Sequence, residues 1–158
     1  MTDKHATPQP LSTNAVSTSR YAPHGEFSLH IDGDIVFYDA TGPFNLEALQ
    51  ALATARSTIL ADWAIERPVA GIVHWHRSVM MSPEAFAAYR EGIAKYHENA
   101  KLPVALAWVA AADVEGMALM HQKFEKLFIE RKTNFKLFDS LAPARAWVDE
   151  HLAAARAR

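Results

Sequence analysis

The stretch from Ile31 to Glu47 constrains the fold more than any other part of the chain. It runs Ile-Asp-Gly-Asp-Ile-Val-Phe-Tyr-Asp-Ala-Thr-Gly-Pro-Phe-Asn-Leu-Glu. Just upstream, Phe27, Leu29 and Ile31 alternate with Ser28, His30 and Asp32, the pattern of a half-buried strand. Asp32-Gly33-Asp34 then offers a tight hairpin, because glycine accepts the positive φ that such turns need. Ile35 to Ala40 reads as the return strand, and Gly42-Pro43 stops it. Asn45 is placed to cap a helix through its side-chain oxygen, and Glu47 suits the positive end of that helix.

Alternating units follow. Leu49, Leu52, Ile59 and Trp63 recur at helical spacing, which predicts a helix to about Trp63. Val69 to Val73 is apolar without alternation, as in a strand covered on both faces, and ends in His74-Trp75-His76. Ser82-Pro83-Glu84 is a cap followed by proline at the first helical position, and Phe86, Tyr89, Ile93 and Tyr96 form the inward stripe. Leu102 to Ala110 repeats the buried-strand pattern. Asp113 is the expected cap of a third helix, with Val114, Met117, His121, Phe124 and Phe128 inward. Phe135 to Phe138 is a last strand, and Asp139-Ser140 leads into a helix burying Ala144, Trp147, Val148 and Leu152. The order is β-β-α-β-α-β-α-β-α. It predicts an α/β fold: a single mixed sheet, an N-terminal hairpin followed by parallel strands, packed with four helices.

With 158 residues, 50% of them apolar, the chain suits one domain. Residues 1–24 are polar and aperiodic and are expected to be a disordered tail, leaving 25–158 as the domain. No cysteine is present, which excludes disulfides, thiolate metal sites and cysteine nucleophiles. The net charge of −2 is spread without a basic stripe, so nucleic acid is not an expected partner. Leu102 to Ala112 falls short of the roughly 20 residues that span a bilayer, and no apolar stretch near Met1 resembles a secretory signal. A cytoplasmic protein without a membrane span is expected.

Three motifs carry a family likeness. They are Gly42-Pro43-Phe44-Asn45-Leu46-Glu47 after the hairpin, Ser82-Pro83-Glu84-Ala85 at the second helix, and Phe138 to Trp147 at the end. Together they resemble the SpoIIAA-like branch of the STAS superfamily, over roughly Gly25 to Leu152. The resemblance implies a STAS-like fold and a non-enzymatic regulatory role in bacterial signalling, through a protein partner or a homodimer. The wider fold group includes lipid carriers of the CRAL-TRIO kind, which implies binding of a small apolar ligand as the alternative. In the anti-sigma-factor antagonists of this branch, an Asp-Ser-Ser/Thr-Gly-like element after the third strand carries a phosphorylated serine. Here His76 to Glu84 keeps Ser78 and Ser82 but lacks the Asp-Ser pair and the glycine. Ser82 and Ser78 are the regulatory candidates. Free N–H groups at a helix start would favour a phosphate on Ser82, although a plain N-cap, worth about 1 kcal/mol, is the favoured reading of the residue.

In open α/β sheets, ligands collect beyond the carboxyl ends of the parallel strands. The rim candidates there are Thr41, Asn45, His76, Arg77, Asp113 and Asp139, with Ser78 and Ser140 nearby; Asn45, Asp113 and Ser140 also fall where helices need caps. His74 and His76 leave one face of their strand. As a metal pair they would need a third ligand, His121 or Asp113. Without a helical His-Glu-x-x-His pattern the ordinary reading is two histidines bonded to neighbours, and neither a metal nor a cofactor is expected. An apolar pocket would draw on Met80, Met81, Trp108, Phe124 and Phe128. None of the six glycines forms a Gly-x-Gly pair and no Gly-x-Ser-x-Gly elbow occurs, so no catalytic residue is assigned.

Overall fold

The computed structural model describes residues 9–61, 67–99 and 103–158, the side chains of 96–99 excepted. The elements are β1 (Leu11–Ser12), α1 (Thr13–Val16), β2 (Glu26–Asp32), β3 (Ile35–Thr41), α2 (Leu46–Leu60) and β4 (Ala70–His76). Then come α3 (Pro83–Asn99), β5 (Ala105–Ala110), α4 (Met117–Glu130), β6 (Asn134–Phe138) and α5 (Leu141–Arg156). Trp63 and Leu102 lie outside the described residues, as does the side chain of Tyr96.

The strands form one six-stranded sheet in the order β1-β2-β3-β4-β5-β6. The β1–β2 and β2–β3 pairs are antiparallel, and the three later pairs are parallel. Asp32 faces Ile35 across the hairpin, and Gly33 takes φ +60°, a conformation that costs glycine nothing. Asn45 caps α2 by accepting from the N–H of Ala48 at 3.1 Å. Ser82 does the same for Ala85 at 3.1 Å, at the start of α3.

Two expectations need correcting. Leu11 to Val16 falls in the stretch expected to be a disordered tail, yet β1 pairs with β2 and Thr13 is fully buried. Thr13 Oγ1 accepts from the N–H of Phe27 at 3.0 Å, and Ser12 Oγ bonds Glu26 Oε1 at 2.5 Å. Side-chain hydroxyls hold this short segment, which apolar content does not register. Asp113 does not cap the third helix: α4 starts at Met117 with Gly116 in the cap position. The intervening Glu115 is taken up by backbone bonding to the loop after β4, so the helix begins later.

Helix placement follows from strand order. Parallel crossovers are right-handed almost without exception, so a monotonic order from β3 to β6 sends α2, α3 and α4 to one face. There Leu49, Leu52, Ile93, Phe124 and Phe128 pack on Tyr38, Val73, Trp75 and Trp108. The other face is left to α5, whose Ala144, Val148 and Leu152 meet Ile35, Ile72, Ala107 and Val109. α5 packs over β4, β5 and β6. Beyond it, Ser28, His30, Phe37 and Asp39 on the same face of β2 and β3 are each only partly buried.

Candidate functional site

At the carboxyl ends of the parallel strands the chain makes three close passes. The Gly42–Pro43 peptide is cis, and a Cβ on Gly42 would stand 2.2 Å from the Ser78 carbonyl oxygen, so only glycine fits that crossing. Phe44 N–H donates to Met80 O at 2.9 Å, and Ser82 N–H donates back to Phe44 O at 3.3 Å. On the other side Val79 N–H donates to Glu115 O at 3.0 Å, while Glu115 N–H donates to Arg77 O at 2.9 Å. The loops after β3, β4 and β5 are thus joined backbone to backbone, and the rim is closed rather than cleft. Arg77 turns outward here at φ 63°, in the left-handed region that costs a non-glycine residue about 1 kcal/mol or more.

The sequence-predicted rim residues divide. Thr41 ends β3 directly opposite His76, which precedes exposed Arg77. Asn45 is used structurally: besides capping α2, its Oδ1 accepts from His24 N–H at 2.9 Å and its Nδ2 donates to Ala22 O at 3.3 Å. Asp113 and Asp139 are exposed in separate loops, after β5 and β6. Ser140 holds the N-cap position of α5 without a side-chain cap bond. Ser78 is buried, 2% exposed, and its Oγ accepts from Met80 N–H at 3.1 Å. Ser82 is half-buried, with its Oγ engaged as the cap of α3.

A second grouping lies on the face of the sheet that α5 only partly covers. His74 and His76 project from the same face of β4, their ring centroids 4.1 Å apart. Asp39 stands beside them on β3, in register with His74. Its Oδ1 lies 3.1 Å from His76 Nε2 and 3.7 Å from His74 Nδ1. Burial holds the His74 imidazole below the ordinary histidine range; neighbouring His76 pushes the same way, and Asp39 opposes both. Neither His121 nor Asp113 takes part. His121 is on α4, packed against the Phe135 ring at 5.6 Å, on the opposite face. Asp39 went unnoticed in the sequence. Its only signal is an outward-phase polar position in β3, and strand register alone brings it to His74.

The apolar cavity sits at the other end of the parallel strands. Its wall includes Leu52, Val69, Gly71, Ile93, Leu106 and Phe128, and its volume is about 80 Å³. Of the five residues expected to line a pocket only Phe128 does so; Met81, Trp108 and Phe124 are buried in the core. Pockets for drug-sized ligands measure roughly 300–1,000 Å³, and an engineered cavity of about 150 Å³ holds benzene. The space is smaller than either. Arg56, also in its wall, donates from Nε to the Tyr38 hydroxyl at 3.3 Å. Burial raises the neighbouring Tyr89 hydroxyl well above the usual tyrosine range, against the pull of the Arg56 charge.

No family model and no curated protein matches the chain. Among solved structures it is similar to an uncharacterized protein of the DUF3478 family with a SpoIIAA-like fold, from Shewanella loihica PV-4. The TM-score is 0.55 at 14% identity, covering 83% of this chain and 98% of that one. The fold is SpoIIAA-like. This is the STAS-like fold expected from the three motifs, with β1 and α1 added to the predicted element order. Among the described residues no helix is long and apolar enough to cross a membrane.

Proposed function

We propose that this chain is a regulatory protein-interaction domain whose docking surface is the closed rim at the carboxyl ends of β3, β4 and β5. The observation that carries this reading is the backbone bonding of the three rim loops, Phe44 to Met80 and Val79 to Glu115. A cleft for substrate is lacking there among the described residues, whereas a fixed loop surface loses little further entropy on binding a partner. That surface presents Arg77 and Pro43, with Leu119 and Leu141 exposed in the first turns of α4 and α5 at the same end of the sheet. Phosphate control through Ser78 would require the rim to open first, since its hydroxyl is buried; Ser82 is the more accessible of the two. The small volume of the apolar cavity weighs against the carrier alternative.

The test is cross-linking capture from cells that make the protein, comparing wild type with a double variant, Arg77→Glu with Leu119→Ser. Ile129→Ser, an equally exposed apolar site at the far end of α4, is the control. A partner should be retained by wild type and by Ile129→Ser and lost by the rim variant. Identical cross-links from all three proteins would sink the proposal.

A further inference from the structure

We propose that Asp39, His74 and His76 bind one divalent first-row transition metal ion, with zinc the favoured occupant and a fourth position open to solvent. The inference is independent of the rim and rests on how two strands line up. Parallel pairing sets Asp39 directly opposite His74, and the two-residue period of β4 returns His76 to the same side. One ligating atom from each residue lies within 4.8 Å of the other two. Zinc–ligand bonds of about 2.0–2.2 Å at tetrahedral angles place ligand atoms roughly 3.3–3.6 Å apart. The observed separations of 3.1 and 3.7 Å from Asp39 Oδ1 already bracket that spacing.

The donor set narrows the ion. Two imidazoles and one carboxylate suit zinc and ferrous iron, whereas calcium and magnesium prefer all-oxygen shells. Structural zinc sites are closed by four protein ligands, whereas sites that keep a water or take a further ligand offer three. Three is the number found here among the described residues. The side chains retain 45% exposure at Asp39, 25% at His74 and 41% at His76, so an ion has a path in and solvent has a place beside it. All three ligands stand on paired strands in the interior of the sheet, and β4 turns Val73 and Trp75, on either side of His74, into the core. A set so anchored needs only small side-chain rotations to close on an ion. The competing description is an ordinary Asp39–His76 hydrogen bond with no affinity for metal.

Full-length protein stripped with chelator and titrated with cobalt(II) separates the two. The expected result is one equivalent bound, with the d–d absorption of a low-coordinate nitrogen–oxygen site, displaced by one equivalent of zinc. His74→Ala and the nearly isosteric Asp39→Asn should each weaken binding by about tenfold or more, while circular dichroism stays native. His30→Ala, on the same face but outside the set, and His24→Ala, near the N-terminus, should leave the titration unchanged. The proposal is overturned if no stoichiometric binding is seen. It is equally overturned if binding survives Asp39→Asn and His74→Ala at full strength, or is lost only with His24→Ala.

Discussion

The two faces of the sheet are built from the same strands and do opposite things. On one face, β4 contributes Val73 and Trp75, and Trp75 meets Trp108 at 4.6 Å between ring centroids under three helices. On the other, the alternating His74 and His76 stay partly exposed beside Asp39, because one helix cannot cover six strands. A single strand therefore serves as core and as chemical surface, and the right-handed crossover rule decides which residues get which task. The lesson is that the bare side of this fold follows from its strand order. Polar residues on that side can be selected for chemistry at little cost to packing.

The largest test of this asymmetry is a pair of truncations. Phe124 is fully buried, with its ring 4.6 Å from Trp108 and 4.8 Å from Tyr89. Phe124→Ala should cost about 3–5 kcal/mol, a large share of the 5–15 kcal/mol typical of a domain. Leu152→Ala, under α5, should cost about 2 kcal/mol, since a single helix can settle toward the sheet and shrink the cavity left behind. Urea unfolding of both variants measures the difference. Equal losses would mean that both faces are packed to the same rigidity, which would break the comparison.

Local signals made most of this architecture legible. The hairpin at Gly33, the caps at Asn45 and Ser82 and the helical stripes are all written in residues a few positions apart. What stayed hidden depends on partners far along the chain. Thr13 is buried because Phe27 N–H needs an acceptor, and nothing within residues 9–16 announces that. α4 starts late because Glu115 is claimed by the loop at Arg77. Topology alone places the rim and its residues, but its closure depends on how closely Gly42 passes Ser78. Asp39 joined the histidines only through strand register, which a sequence pattern does not fix.

A smaller effect should distinguish the covered face by its response to alkali. Tyr89 lies on that face, its hydroxyl shifted upward by burial. A folded-state pKa above the unfolded value leaves stability intact below about pH 10 and erodes it above, as the unfolded chain releases its proton first. Between pH 10 and 11 the loss from this one group should grow by about 1 kcal/mol. In Tyr89→Phe that component should vanish, so the stability difference between variant and wild type should change between pH 10 and 11. A constant difference across that window would mean that the Tyr89 hydroxyl is as well solvated as in the unfolded chain.

The smallest expected effect concerns what holds α5 to the open side. Arg145 Nη1 meets Asp32 Oδ2 at 2.6 Å, and its Nε lies 3.3 Å from Asp149 Oδ2. Arg156 and Arg67 both engage Asp34 at the hairpin. Two of these ties, Arg145 to Asp32 and Arg156 to Asp34, link the helix to the hairpin between β2 and β3, so they look decisive on geometry. Their energetics say otherwise: Arg145 and Asp32 are 44% and 53% exposed, and exposed pairs contribute about 0–1 kcal/mol. Arg145→Ala should therefore lower stability by less than about 1 kcal/mol, with the deficit shrinking as salt rises. Thermal unfolding at low and high salt reads both quantities. A salt-independent loss as large as that of Leu152→Ala would show that α5 is held by its ionic ties as much as by its apolar stripe, and the contrast between the two faces would then lie in the kind of force and not in the amount of packing.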